Sequence, residues 1–318
     1  MSVNRSRSGE DHEDAVLITG GSGFVGKKLV KVLSDANKSI VSIYHHRFTE
    51  PMANVYPVCS DLSSTELLAA PLRGVSTVVY LAWEHNFLGP SEGLKFDPIS
   101  KKGSKNIFLL NNMIKAMEKA GTRRIIFLSA VGASDSSNNS FLREKYFAEF
   151  CILNSAIPEK VIIRSSIIIG SDIGEDRFLR SITGLMRFPW ICPIPSSKNS
   201  ISPISVTDIC GIIKSSLDSD LEFGGTIAEV YGQKEYDIDQ LFKLVSTKLG
   251  RGSRIQIKGV IGNTLVSLLE KGKKQPHVPR IRDYLAIHSM NSGKQKLPHP
   301  IVQKFLRLNE NFSELLCE

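Results

Sequence analysis

Residues Thr19-Gly20-Gly21-Ser22-Gly23-Phe24-Val25-Gly26 set three glycines, at 20, 23 and 26, between an apolar run and an amphipathic segment. A backbone without Cβ atoms turns tightly there, and the free N–H groups and dipole at the start of the following helix favour negative charge. Glycine-rich turns occur in many loops, so the context carries the reading. Ala15-Val16-Leu17-Ile18 has the composition of a buried parallel strand, and Val25, Leu29, Val32 and Leu33 repeat with helical period behind the turn. Strand, turn and helix in that order predict a dinucleotide site. Its pyrophosphate rests on the helix N-terminus, touched by Gly20, Ser22, Gly23, Phe24, Val25 and Gly26.

The alternation continues down the chain. Apolar, β-branched runs at 40–44, 55–59, 77–82, 124–129 and 161–165 are separated by helical segments. One of these, over 103–120, buries Ile107, Leu110, Ile114 and Met117 and stops at Gly121. Such a pattern predicts an α/β chain, a Rossmann-type doubly wound parallel sheet with right-handed crossovers. After Gly170 the texture changes to a proline-punctuated stretch at 188–195, a second αβ stretch at 226–250 and a tail of short helical patterns and basic loops. The expected organisation is a disordered lead-in over 1–14, a Rossmann domain over 15–170, and a small C-terminal substrate lobe over most of 171–318. Residues 206–217 return to the Rossmann domain.

Bulk composition narrows the function classes. No apolar run in the 318 residues has the length of a membrane span. The five cysteines (59, 151, 192, 210 and 317) show no Cys-x-x-Cys spacing, which excludes a dithiol or clustered metal motif and suits a reducing cytoplasm. Net charge is +8, but the basic residues are dispersed except for Lys271, Lys273, Lys274, Arg280 and Arg282. No nucleic-acid motif accompanies them, and two explanations of the excess stay open: an anionic dinucleotide with a small, anionic substrate, or a solvated basic face.

Cofactor choice turns on the end of the second strand, where an acidic residue binds the ribose hydroxyls of NAD and a basic one accommodates the 2′-phosphate of NADP. Counting from Gly26, that position falls at Tyr44, followed by His45, His46 and Arg47, with no carboxylate before Glu50. Arginine forks onto phosphate, and a phosphate favours protonated histidine, so NADP is preferred over NAD with His45 and Arg47 as its contacts.

Several further motifs, in order, resemble the extended or atypical short-chain dehydrogenases/reductases, the epimerase/dehydratase-like branch, over residues 15–250. Asp61-Leu62 is similar to that family's adenine-contacting pair. Leu81-Ala82-Trp83 stands where its His-Leu-Ala segment passes under the cofactor. Gly103-Ser104-Lys105-Asn106 resembles its Gly-Thr-x-Asn helix start. The run Ile163-Arg164-Ser165-Ser166-Ile167-Ile168-Ile169-Gly170 resembles the segment along the nicotinamide, which makes Ser166 a cofactor contact. Ser202 to Asp208 is similar to a strand returning from the substrate lobe.

The resemblance implies a serine, a tyrosine and a lysine for proton chemistry. Ser129 and Lys145 fit the first and last, but the tyrosine position is Phe141, and none of the seven tyrosines has lysine four residues on. The family's asparagine before the helix glycine is replaced by Ser100. His85, after the fourth strand, is either a substitute donor able to titrate near neutrality or a surface loop histidine. The sequence reading leans to an NADP-dependent oxidoreductase or epimerase acting on a small carbonyl or hydroxyl compound or a nucleotide sugar through an unconventional proton donor, with a dinucleotide-binding regulator or structural subunit without catalysis as the alternative.

Overall fold

The computed structural model describes residues 14–44, 52–84, 104–137, 139–170, 176–186, 190–195, 200–218, 224–250 and 255–271. His45, Arg47, His85, Ser100 and Gly103, the lead-in and the basic tail beyond 271 lie outside the described residues.

Seven strands form the main sheet: β1 (Ala15–Thr19), β2 (Ile40–Tyr44), β3 (Val55–Cys59), β4 (Val75–Tyr80), β5 (Arg124–Ala130), β6 (Glu159–Ser165) and β10 (Gly224–Val230). Their order is β10-β6-β5-β4-β1-β2-β3, and every pairing is parallel. The strand order reverses between β1 and β4, where a crevice opens at the carboxyl ends of the strands.

The twofold strand period assigns side chains to two cores. Val16, Ile18, Val79 and Ile126 point to one face, packed by Leu29, Val30 and Leu33 of α1 (Phe24–Asp35) and Ile209, Ile212 and Ile213 of α6 (Val206–Asp218). Leu17, Val78, Tyr80, Ile125 and Phe127 point to the other. Leu68 of α2 (Thr65–Ala69), Leu110 and Met113 of α3 (Lys105–Ala120) and Ile152 of α4 (Ser140–Leu153) cover them. Ser104 caps α3 through the Asn106 N–H, and Gly121 ends it at φ 73°, a left-handed conformation that glycine adopts without strain.

A third core is separate. It joins Phe178 and Ile182 of α5 (Arg177–Leu185), Leu241, Phe242 and Val245 of α7 (Ile238–Lys248), Cys192 of β8 (Ile191–Pro193) and Val266 of α8 (Gly259–Lys271). Strand β8 pairs with β11 (Ile255–Ile257), and β7 (Ile168–Ile169) pairs with β9 (Ile204–Ser205).

Two expectations change. The return from the lobe is longer than 206–217, because β10 joins the sheet edge, Thr226 opposite Val161 through Val230 opposite Ser165. The segment read as a returning strand at 202–208 is two residues of β9 followed at once by α6, whose first turn is fixed by the Asp208 N–H donating to Ser205 Oγ at 2.9 Å.

Candidate functional site

The glycine turn is shaped by close approach. Gly20 sits at φ 71° and accepts the Gly23 N–H at 2.9 Å. A Cβ on Gly26 would stand 2.1 Å from the Gly20 carbonyl oxygen, and one on Gly21 would stand 2.1 Å from Ser42 Oγ, so neither position admits a side chain as built. At the N-terminus of α1, Gly23 supplies no side-chain cap and the first turn holds no acidic residue. The N–H groups there are left for an external anion, which is the cradle a pyrophosphate fits. Thr19 Oγ1 accepts the Leu81 and Ala82 N–H groups, each at 3.1 Å, and ties the exit of β4 to the turn.

A cavity of about 380 Å³ opens from this turn along the ends of β4, β5 and β6. The predicted contacts Gly20, Ser22, Gly23, Phe24, Val25, Gly26, Leu81, Ala82, Trp83, Lys145 and Ser166 all line it, as do Ser129 and Phe141. Asp61 and Leu62 are not among its walls. Asp61 accepts its own turn's Ser63 N–H at 2.9 Å, and Leu62 is buried in the core, its carbonyl gripped by Asn112 at 3.2 Å.

Asn106 fixes the approach of β4. Its Oδ1 accepts the Glu84 N–H at 2.8 Å, and its Nδ2 donates to the Glu84 carbonyl at 2.9 Å and to Glu144 Oε2 at 3.0 Å. Burial raises the Glu144 carboxyl above its usual range, against that Asn106 hydrogen bond. Trp83, next to Glu84, is thereby held over α4.

Lys145 is enclosed. Its Nζ donates to the Leu128 carbonyl at 2.9 Å and lies 3.8 Å from the Trp83 ring centre, 4.7 Å from Phe127 and 5.7 Å from Phe141. Burial brings its pKa down to about 7, opposed by the Glu144 and Glu149 carboxylates. The indole face also favours the cation, so burial outweighs several attractive partners.

Ser129 is engaged elsewhere. Its Oγ donates to Glu149 Oε1 at 2.5 Å. Glu149, 2% exposed, is held bidentately by Arg164, with Nε to Oε1 at 2.9 Å and Nη2 to Oε2 at 2.6 Å. Arg164 reaches on to Glu229 at 3.5 Å, which accepts the Tyr231 hydroxyl at 3.0 Å. A serine has one proton to donate, so while Glu149 takes it Ser129 offers the cavity only lone pairs.

Two wall or support residues escape the sequence reading. Glu149 stands one helical turn after Lys145 on α4, a spacing that placed it on the site's side of the helix. Asp176 lines the cavity and caps α5, accepting the Phe178 and Leu179 N–H groups, and its other oxygen accepts the Gly170 N–H at 3.0 Å. Burial pushes its carboxyl up to about 6. The signal was an aspartate directly before an amphipathic run. Gly170, so held, packs against the Phe24 ring, where a Cβ would meet carbon at 3.0 Å.

Residues 20–165 match a family model described as NAD(P)H-binding. A subunit 9 of the NADH dehydrogenase [ubiquinone] 1 alpha subcomplex, mitochondrial, from Mus musculus is 32% identical over 261 residues, covering 76% of this chain and 64% of that protein. Its namesake from Arabidopsis thaliana is 24% identical over 237 residues, covering 72% and 56%. This chain thus spans a little over half the length of these relatives. A nucleoside-diphosphate-sugar epimerase from Staphylococcus aureus shares the fold with a TM-score of 0.69 at 14% identity, over 96% of this chain and 100% of the other.

Proposed function

For a chain whose residues 20–165 form an NAD(P)H-binding domain in the Rossmann fold of the extended short-chain dehydrogenases/reductases, we propose a protein that binds a nicotinamide dinucleotide for structural or regulatory ends and does not turn it over. One observation carries this reading: the Ser129 proton is donated to buried Glu149. The other two positions agree with it. Lys145 donates to the Leu128 carbonyl, and Phe141 has no proton to give.

The Gly20 to Gly26 turn would hold the pyrophosphate, and Trp83, Ser166 and Lys145 would surround the nicotinamide half. When bound, a nicotinamide can accept or donate a hydride, and in this reading no side chain delivers the matching proton. His45 and Arg47 favour NADP over NAD at the end of β2. The relatives named as NADH dehydrogenase subunits suit a role within an assembly. Among the described residues Cys59, Cys151, Cys192 and Cys210 form no disulfide, which suits a reducing compartment such as the cytoplasm, and no helix is long and apolar enough to cross a membrane.

A second reading, an NADP-dependent reductase or epimerase acting on a small molecule, draws on Lys145, whose pKa near 7 would make it a workable donor on the cavity wall. Titration of intrinsic fluorescence with NADPH and NADH, followed by turnover assays with carbonyl compounds and nucleotide sugars, separates the two. Binding without turnover supports the first. Turnover that disappears in Lys145→Ala overturns it.

A further inference from the structure

The surroundings of Lys145 are those of a nucleophile. The residue is on the cavity wall, and its Nζ is ringed by the aromatic centres of Trp83, Phe127 and Phe141 at 3.8, 4.7 and 5.7 Å. Among the described residues that nitrogen makes one hydrogen bond, to the Leu128 carbonyl, and no ion pair. The carboxylates of the neighbouring elements are committed to other partners. On α4, Glu149 is taken by Arg164 and Ser129, and Glu144 accepts from Asn106. Glu84, after β4, pairs with Lys105, and Asp176, at the start of α5, accepts three backbone N–H groups. An amine that burial desolvates and no carboxylate grips loses its proton near neutrality, and the Lys145 pKa falls to about 7.

At pH 7 about half of such amines are uncharged, against roughly one in 3,000 for a lysine at the ordinary 10.5. A neutral amine keeps two N–H groups, one of which stays on the Leu128 carbonyl, and it gains a lone pair that an ammonium lacks. Lysines desolvated in this way attack carbonyl carbons. The cavity also limits the class of ligand. Phe141, Phe178, Leu128, Ile167 and Ile168 line it with apolar surface, and Lys145 is the one cation among its described walls. Away from the glycine turn, an anionic ligand would find no cation but the amine itself and would meet the Asp176 carboxylate. An uncharged, apolar carbonyl compound meets neither obstacle.

We propose that Lys145 is a carbonyl-capture site, whose amine condenses reversibly with a small, uncharged, apolar aldehyde. The nitrogen lone pair adds to the carbonyl carbon, the π pair moves to oxygen, and a proton passes from nitrogen to that oxygen to give a carbinolamine. The hydroxyl then leaves as water with the second nitrogen proton. Amine and aldehyde become imine and water, and nothing is oxidised or reduced. Capture goes beyond dinucleotide binding and does not require it, because it uses the cofactor-free cavity.

Reductive trapping on the full chain tests this. The protein is incubated with benzaldehyde and cyanoborohydride, which reduces the imine to a stable secondary amine, and labelled lysines are mapped by mass spectrometry. At pH 7 Lys145 should label at least about tenfold faster than the exposed Lys243 and Lys248, and that ratio should fall as pH rises from about 7 to 10 and the exposed amines lose their protons. Glyoxylate, an anionic aldehyde, should show no such preference for Lys145. Lys145→Met should lose the label and keep that on Lys243, and if this variant does not fold, the pH dependence in the parent decides alone. NADPH should slow the labelling; trapping that NADPH leaves unchanged still supports capture and counts only against the nicotinamide lying beside Lys145. Four results overturn the proposal: Lys145 labelled no faster than Lys243 at neutral pH, a ratio that stays level as pH rises, equal preference with glyoxylate, or label at Lys145 that appears only in urea.

Discussion

Restoring a phenol at position 141 tests whether chemistry is missing one residue or has been dismantled. General acid catalysis by a placed side chain commonly contributes about 100- to 10,000-fold, or roughly 3 to 5.5 kcal/mol of barrier. A tyrosine needs the lysine ammonium beside it, and here Nζ points to the Leu128 carbonyl and the Trp83 face. Leaving the carbonyl forgoes a charge-assisted hydrogen bond of about 1.5–3 kcal/mol, and leaving a desolvated indole face forgoes about 2 more. The sum, roughly 3.5 to 5 kcal/mol, offsets most of the gain. Phe141→Tyr alone should therefore leave NADPH oxidation with a carbonyl panel within about tenfold of the parent, with unchanged NADPH affinity. A rise of 100-fold or more would refute the reasoning and show that Lys145 turns freely to a phenol.

The glycines of the turn should separate binding from folding. Gly23→Val, where a Cβ meets only the Gly20 oxygen at 3.1 Å, should abolish NADPH binding in a fluorescence titration while the circular dichroism spectrum is kept. Gly26→Ala, with its Cβ 2.1 Å from that same oxygen, should lower the melting temperature. Arg47→Ala should weaken NADPH by about one to two decades, the worth of a charge-assisted contact, and leave NADH nearly unchanged; equal losses would remove Arg47 from the 2′-phosphate. Asp176 gives a pH signature. Its folded pKa of about 6 stands above the ordinary 3.8, so its stabilising contribution is complete below about pH 4 and is lost as pH rises through 6. The difference corresponds to roughly 3 kcal/mol. Melting temperature against pH should fall across this window less steeply in Asp176→Asn than in the parent, and equal slopes would show that Asp176 does not titrate there.

The fold was legible because its signals are local. Each strand of the Rossmann half announces itself as a β-branched run, and strands 40–44 and 55–59 fall on their predicted bounds. The edge strand β10 was placed in the lobe stretch because pairing partners far apart in sequence leave no mark on either: Thr226 opposite Val161 is a fact of topology. The glycine turn was readable for the same reason as the strands, since its spacing is local, whereas Leu81 to Trp83, Ser129, Lys145 and Ser166, which also line the cavity, were named from the family resemblance. The orientation of Ser129 and Lys145 was readable from neither. It depends on Glu149 meeting Arg164 across α4 and β6, and on Asn106 setting Trp83 above the ammonium, contacts between elements that the linear sequence keeps apart.

Those contacts also explain how a dinucleotide site can persist while proton chemistry is diverted. The cradle is backbone, fixed by the Gly20 carbonyl and by Thr19 clamping Leu81 and Ala82, and it draws nothing from α4. The groups for proton transfer sit on β5 and α4, where a buried carboxylate must find donors or neutralise. Glu149 finds three, two from Arg164 and one from Ser129. Removing the serine proton from that set would leave a buried carboxylate oxygen less satisfied, so the protein's stability and the availability of Ser129 to a ligand oppose each other. A site under that constraint keeps its cofactor geometry more readily than it recovers its acid.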